Sequence, residues 1–309
     1  MISSKNSNVV SLNTLLEGAE QGRYAVGSFS PRYTPLIRPV LRAGEKLGSP
    51  LIIQISSREL GRYEITPIEF AEEFYKVLQE DAISVPVALH LDHTADFEVI
   101  KAAIAAGFNS VMIDASSKPF ADNVATTQKV ADYANDHGVS VEAELGRIGT
   151  TDFVETDTDE ELFTVPEEAR EFVEQTKVDA LAVSVGTAHG VYKVRQPRID
   201  FERLEAIRKL TPVHLVLHGG SGVPSSMLRQ AISCPGGGIS KVNIATDLEQ
   251  AFLAAIGREE YLTNQACIEL DTDLLKVGQA AVENVVVEKM TDFLGSAGQV
   301  SNNVTGTRG

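Results

Sequence analysis

Eight short apolar runs recur along the chain, and the stretches between them are amphipathic. The runs are 24–30 (YAVGSFS), 50–56 (PLIIQIS), 86–92 (PVALHLD), 110–116 (SVMIDAS), 140–146 (SVEAELG), 180–186 (ALAVSVG), 214–220 (HLVLHGG) and 241–246 (KVNIAT). Most are continuously apolar at their centres, as parallel strands buried on both faces are. The intervening segments carry helix signals. Thr66-Pro67-Ile68-Glu69 has capping-box spacing with Pro at the first helical position, and Thr164-Val165-Pro166-Glu167 repeats it. The alanine-rich 97–107 ends on Gly107, a left-handed stop. Residues 10–21 predict a helix before the first strand, 272–293 a long closing helix, and 301–309 a frayed end.

Eight strand–helix units in one chain of 309 residues predict a single (β/α)₈ TIM barrel domain over 1–309. An open doubly wound sheet is the alternative, but no GxGxxG follows the first run. The formal net charge of -16 argues against nucleic-acid or anionic-membrane partners, since both demand basic patches. It leaves a small anion open as substrate, because a few local cations outweigh a distant field. Neither a bilayer-length apolar run nor a signal-peptide core occurs, and Cys234 and Cys267 make no CxxC; both point to a cytoplasmic protein with reduced thiols.

In a barrel of this kind the chemistry sits at the C-terminal strand ends. There the polar residues gather. His93 follows the third run, His189 the sixth and His218 closes the seventh. One histidine alone is more often structural. Three at one mouth match three imidazoles on a catalytic Zn²⁺ with its fourth position open. Asp114, Glu142 and Glu144 end neighbouring runs and are placed to orient the imidazoles. His90 lies two residues below Asp92 and reads as support. His214 starts its strand at the opposite face, and His137 ends a helix beside Gly138, a common solvated arrangement. Around the same mouth, Gly190, Lys193, Gly219, Ser221, Asn243 and Thr246 offer backbone N–H groups, hydroxyls and a cation, the makings of a phosphate site after strands 7 and 8.

These segments, from YAVGSF through LHLDH, SVMIDAS, VSVEAELG, VGTAHGVYK and LVLHGGSG to KVNIATD, resemble the class II, zinc-dependent ketose-bisphosphate aldolases, in family order and over most of the chain. The resemblance implies a homodimer or homotetramer of carbohydrate metabolism, such as glycolysis. Its members cleave a phosphorylated sugar into dihydroxyacetone phosphate and an aldehyde. It implies Zn²⁺ on His93, His189 and His218, and Asp92 handling the C4 hydroxyl proton. Gly190, Lys193, Gly219, Ser221, Asn243 and Thr246 would hold dihydroxyacetone phosphate, Ser56 would meet the sugar chain, and Glu144 would lie by the metal. A monovalent cation, Na⁺ or K⁺, would sit near the phosphate. The chemistry agrees: retro-aldol cleavage leaves charge on an enediolate, which a Lewis acid stabilises, and needs a carboxylate for the hydroxyl proton.

The chain also departs from the family pattern. The loop after ELG reads RIGTTDFVETDTDEELF, with Asp152 and Glu155 in place of the usual Glu after paired glycines; Asp152 is taken as the proton-transfer group. Strand 1 runs into SPRY where Asn is common. No Arg opens the C-terminal helix, whereas Arg58 stands where small residues are usual. These differences predict a retained dihydroxyacetone phosphate half and an altered aldehyde half, with Arg32 or Arg58 meeting any distal anion. A metal-dependent barrel hydrolase and a non-catalytic aldolase-like subunit are the competing readings. The first lacks a His-x-His in strand 1; the second rests only on the altered loop.

Overall fold

A computed structural model describes residues 7–150, 162–190 and 197–300, with the side chains of 149, 150 and 189 left out. Eight parallel strands close into a barrel in the order β1-β8-β7-β6-β5-β4-β3-β2. They are β1 (Val26–Phe29), β2 (Leu51–Ser56), β3 (Val87–Thr94), β4 (Ser110–Ile113), β5 (Ser140–Leu145), β6 (Ala180–Val183), β7 (His214–Leu217) and β8 (Ile239–Ile244). Helices follow the strands on the outside. The (β/α)₈ expectation holds.

Local chemistry explains most boundaries. Pro67–Glu80 starts with the full capping box, Thr66 accepting from Glu69 N and Glu69 accepting from Thr66 N. Phe97–Ala106 ends on Gly107 at φ 104°. The closing helix, Thr272–Glu288, runs on into a six-residue π-helical segment, Lys289–Leu294, which ends on Gly295 at φ 68°. The second expected capping box does not form. Pro166–Thr176 begins after Val165 with no side-chain cap. Thr164 is drawn into the barrel wall instead: its hydroxyl donates to Leu145 O at 2.5 Å and accepts from Ser184 N at 2.8 Å. Buried backbone groups of two strand ends have the stronger claim on it, since leaving them unpaired is costly.

Two apolar regions hold the barrel. The larger lies between strands and outer helices. The smaller fills the lower barrel, where Val26, Ile52, Ala88, Met112, Ala182 and Val216 pack against Leu12, Leu15, Leu16 and Ala19 of the first helix, Leu12–Gly22. That helix is the floor of the barrel. His214, at the lower start of β7, meets Glu20 of the same helix at 2.9 Å, and His137 caps its helix end by donating to Tyr133 O at 2.8 Å, so both lie away from the mouth as expected. No helix among the described residues is long and apolar enough to cross a membrane.

Candidate active site

At the upper end of the barrel the strands open into a cavity of about 770 Å³. Asp92, His93, Asp114, Glu144, Asn243 and Gly219 line it. Successive residues of a regular strand point to opposite faces, yet Asp92 and His93 both reach this space. The backbone supplies the reason. His93 has φ 28°, in the left-handed region, and the register of β3 against β4 shifts between Leu91 and Thr94. Such irregularities re-aim side chains and gather at functional sites.

Two imidazoles meet here from opposite walls. His93 Nε2 lies 2.6 Å from His218 Nδ1, with the rings nearly perpendicular at 87°. The far nitrogen of each ring faces a carboxylate: His93 Nδ1 is 3.0 Å from Asp114 Oδ2, and His218 Nε2 is 2.8 Å from Glu142 Oε1. A carboxylate accepts, so each far nitrogen carries the proton and two lone pairs face each other. They need a cation or a shared proton between them. In the protein alone the proton is favoured. Burial opposes a charged His93, but Asp92, the Asp114 hydrogen bond and Glu144 outweigh it and push the imidazole up to about 10. His93 in turn, with Ser116, holds Asp114 well below the usual carboxylate range against the opposing effect of burial.

The donor set suits a metal. Asp92, His93 and His218 bring one ligand atom each within 4.8 Å of one another. Glu144 Oε2 is buried with no hydrogen-bond partner among the described residues, 3.9 Å from His93 Nδ1 and 4.0 Å from His218 Nδ1. Burial first, and Asp114 with it, push the Glu144 carboxyl up to about 8 against the opposing effects of His93 and Ser116. Imidazoles oriented from behind by carboxylates are what Zn²⁺ sites use.

Asp92 is buried and held at both oxygens. Asn243 Nδ2 donates to Oδ1 at 3.0 Å and Gln54 Nε2 donates to Oδ2 at 3.2 Å. Ser28 Oγ donates to Gln54 Oε1 and Lys241 Nζ to Asn243 Oδ1, so each amide has only one workable orientation. Beneath it His90 bonds Ser110 Oγ at 2.7 Å; burial first, and Lys241 next, pull its imidazole down to about 3. A neutral, enclosed His90 fits the supporting place expected for it.

Of the other expected site residues, Ser56, Arg58, Gly190, Gly219, Ser221 and Thr246 all line the cavity with Asn243. Gly219 sits at φ 68°, and a Cβ there would meet Ala188 O at 2.3 Å, so the turn after β7 admits only glycine. Ser221 Oγ accepts from Asp247 N at 3.4 Å, at the start of Thr246–Ala255, a helix with no side-chain cap. Ser56 also caps a helix: Ser57–Tyr63 starts with a capping box between Ser56 and Glu59. Arg32 lines the cavity but is tied to Glu59, at 2.9 Å, and to Glu249. The His189 backbone pairs with Thr150, bringing the loop after β5 beside the loop after β6. The His189 side chain, Asp152, Glu155 and Lys193 lie outside the described residues. Sequence reasoning missed Gln54, Arg62, Arg147 and Lys241. The signal for Gln54 and Lys241 was a polar residue at an inward position of an otherwise apolar strand.

The model of the class II fructose-bisphosphate aldolase family matches residues 10–299. A fructose-bisphosphate aldolase of Geobacillus stearothermophilus is 40% identical over 300 residues, covering 95% of this chain and 99% of its own. One of Helicobacter pylori is 37% identical, covering 93% and 98%. Among solved structures, the YdjI aldolase of Escherichia coli K12 superposes with a TM-score of 0.80 at 32% identity, covering 94% of this chain and 99% of that one.

Proposed function

Because the chain belongs to the class II fructose-bisphosphate aldolase family, an enzyme family that cleaves carbon–carbon bonds, we propose that it performs the reversible aldol cleavage of a ketose phosphate to dihydroxyacetone phosphate and an aldehyde, with Zn²⁺ held by His93, His189 and His218. The observation that carries this reading is the facing pair of imidazole nitrogens at 2.6 Å, each ring anchored from behind by a carboxylate, with Asp92 beside them.

Zn²⁺ held by these histidines would supply Lewis-acid polarisation of the substrate carbonyl. The chain does the rest. Asp92, held by Asn243 and Gln54, accepts the proton of the C4 hydroxyl as the bond to C3 breaks and returns it in condensation. Gly190, Lys193, Gly219, Ser221, Asn243 and Thr246 hold dihydroxyacetone phosphate, with a Na⁺ or K⁺ nearby. Their grip fixes the substrate so that its C4 hydroxyl meets Asp92. Glu144 lies close to both imidazoles, and Asp152 exchanges the proton at the carbon that becomes the methylene of dihydroxyacetone phosphate. Assembly as a homodimer or homotetramer in the cytoplasm belongs to the same reading.

The aldehyde half is altered. Arg58, Arg62 and Arg147 line the cavity, and none is in an ion pair with a described carboxylate. With Arg32 already neutralised, Arg58 is the first cation available to an anionic or long aldehyde chain. The test is zinc content by mass spectrometry together with dihydroxyacetone phosphate release from fructose 1,6-bisphosphate and from monophosphate analogues. Zinc, dihydroxyacetone phosphate release and a preference away from the bisphosphate are expected. Clear preference for fructose 1,6-bisphosphate removes the altered pocket. Zinc with no aldol chemistry in either direction removes the aldol reaction and favours the hydrolase or the non-catalytic subunit.

A further inference from the structure

We infer that Lys241 is a positioning residue that couples the imidazole of His218 to the carboxylate of Asp92 through one buried ammonium group; the inference rests on the roles proposed for those two residues. Lys241 is completely buried and is among the largest fully buried side chains of the protein. It does not line the cavity, and no step above uses it as a base or nucleophile. A charge taken out of water is costly unless fully paired, and an apolar side chain of similar volume would serve packing as well or better. Its presence therefore calls for an explanation beyond packing.

Its two contacts provide one. Nζ lies 2.8 Å from Glu142 Oε2 and donates to Asn243 Oδ1 at 2.7 Å. Glu142 uses its other oxygen, Oε1, to accept from His218 Nε2 at 2.8 Å, which turns the Nδ1 lone pair of His218 towards His93. Asn243 uses its amide nitrogen to donate to Asp92 at 3.0 Å. An ammonium can only donate. It thereby forces the Asn243 oxygen towards itself and the amide nitrogen towards Asp92; the flipped amide would set oxygen against oxygen at Asp92. The same ammonium supplies the positive charge opposite Glu142, whose position aims His218. Lys241 and Asn243 share one inward face of β8, two residues apart. The chain His218–Glu142–Lys241–Asn243–Asp92 thus joins the metal side of the site to its acid–base side below the cavity floor.

The test compares Lys241→Met, which keeps the length and removes charge and donors, with Lys241→Arg, which keeps both. Zinc loss to a chelator is followed in the full-length protein, alongside steady-state turnover of the best ketose phosphate from the panel above. In Lys241→Met, zinc leaves at least about tenfold faster and kcat falls at least about tenfold, the size expected for groups that orient metal ligands, while KM changes little. Lys241→Arg recovers part of both. A Glu142→Gln, Asn243→Ala double-mutant cycle on kcat shows coupling in the wild-type background. Should Lys241→Met fail to fold, that cycle alone decides: additive effects overturn the inference. A folded Lys241→Met with lowered thermal stability but near-normal zinc loss and kcat makes Lys241 merely structural and also overturns it. Wild type without zinc or without dihydroxyacetone phosphate release overturns the parent reading first, and this inference with it.

Discussion

The floor and the mouth of the barrel interior are made by the same strands with the same two-residue alternation, and they are chemically opposite. On β1, β2 and β3 the inward residues pass from Val26 to Ser28, from Ile52 to Gln54 and from Ala88 to His90 and Asp92. The floor is apolar and closed by Leu12, Leu15, Leu16 and Ala19. The mouth is also buried, yet it holds Glu142, His218, Lys241 and Asn243. Burying apolar groups stabilises by roughly 25 cal/mol per Å² and needs no geometry. Burying polar groups costs free energy unless each finds a partner. The mouth meets most of that demand with hydrogen bonds and the Lys241–Glu142 ion pair, which also fix where Asp92, Asn243 and His218 point. One end of the barrel provides stability, and the other uses some of it to hold a site.

The largest effect that tests this division is at Asp92 and His93. Asp92→Ala should keep zinc and lower kcat by about 10²–10⁴, with thermal stability unchanged or raised. His93→Ala should lose zinc and turnover together. Near-normal turnover in Asp92→Ala would remove it from the chemistry. The opposite signature belongs to the floor. Leu15→Ala should cost about 2–5 kcal/mol in denaturant unfolding and leave KM and zinc content alone, since Leu15 is fully buried at the other end of the barrel. If Leu15→Ala changed KM before it changed stability, floor and mouth would not be separable in this way.

Much of the barrel was legible because buried parallel strands announce themselves as apolar runs, and all eight lie where those runs are. Their upper ends were not. The run 110–116 leaves the sheet after Ile113, where Asp114 accepts from Ser116 N at 3.1 Å; 180–186 leaves after Val183; 214–220 leaves after Leu217, ahead of Gly219 at φ 68°. Two of these overshoots fall on site residues, Asp114 and His218, whose side chains bond to His93 on another strand. That His93 and His218 come together at the mouth was readable from position alone. Their supports were not, because Gln54–Asp92 depends on the register of β2 against β3 and Lys241–Glu142 pairs strands that only the closed barrel brings together. Thr164 fails for the same reason: its local capping partner loses to Leu145 and Ser184, which are far along the chain.

The smallest effect returns to the floor and depends on pH. Glu45, in the helix Ile37–Leu47, accepts from Ser84 N at 2.7 Å, Val85 N at 3.1 Å and the Ser84 hydroxyl at 2.7 Å, tying that helix to the chain entering β3. Partial burial alone would raise its carboxyl; the three hydrogen bonds outweigh it, and the net shift is below the ordinary 4.5. A carboxyl lowered by folding contributes stability that is fully present above its unfolded value and lost as pH falls through its folded one. Glu45→Gln should therefore melt below wild type at neutral pH, with a gap that closes only as pH drops under 4.5. Because the group is partly exposed, added salt should narrow the gap as well. Zinc content and KM should not follow it. A gap that persisted unchanged into acid would mean that Glu45 acts through packing rather than through its charge.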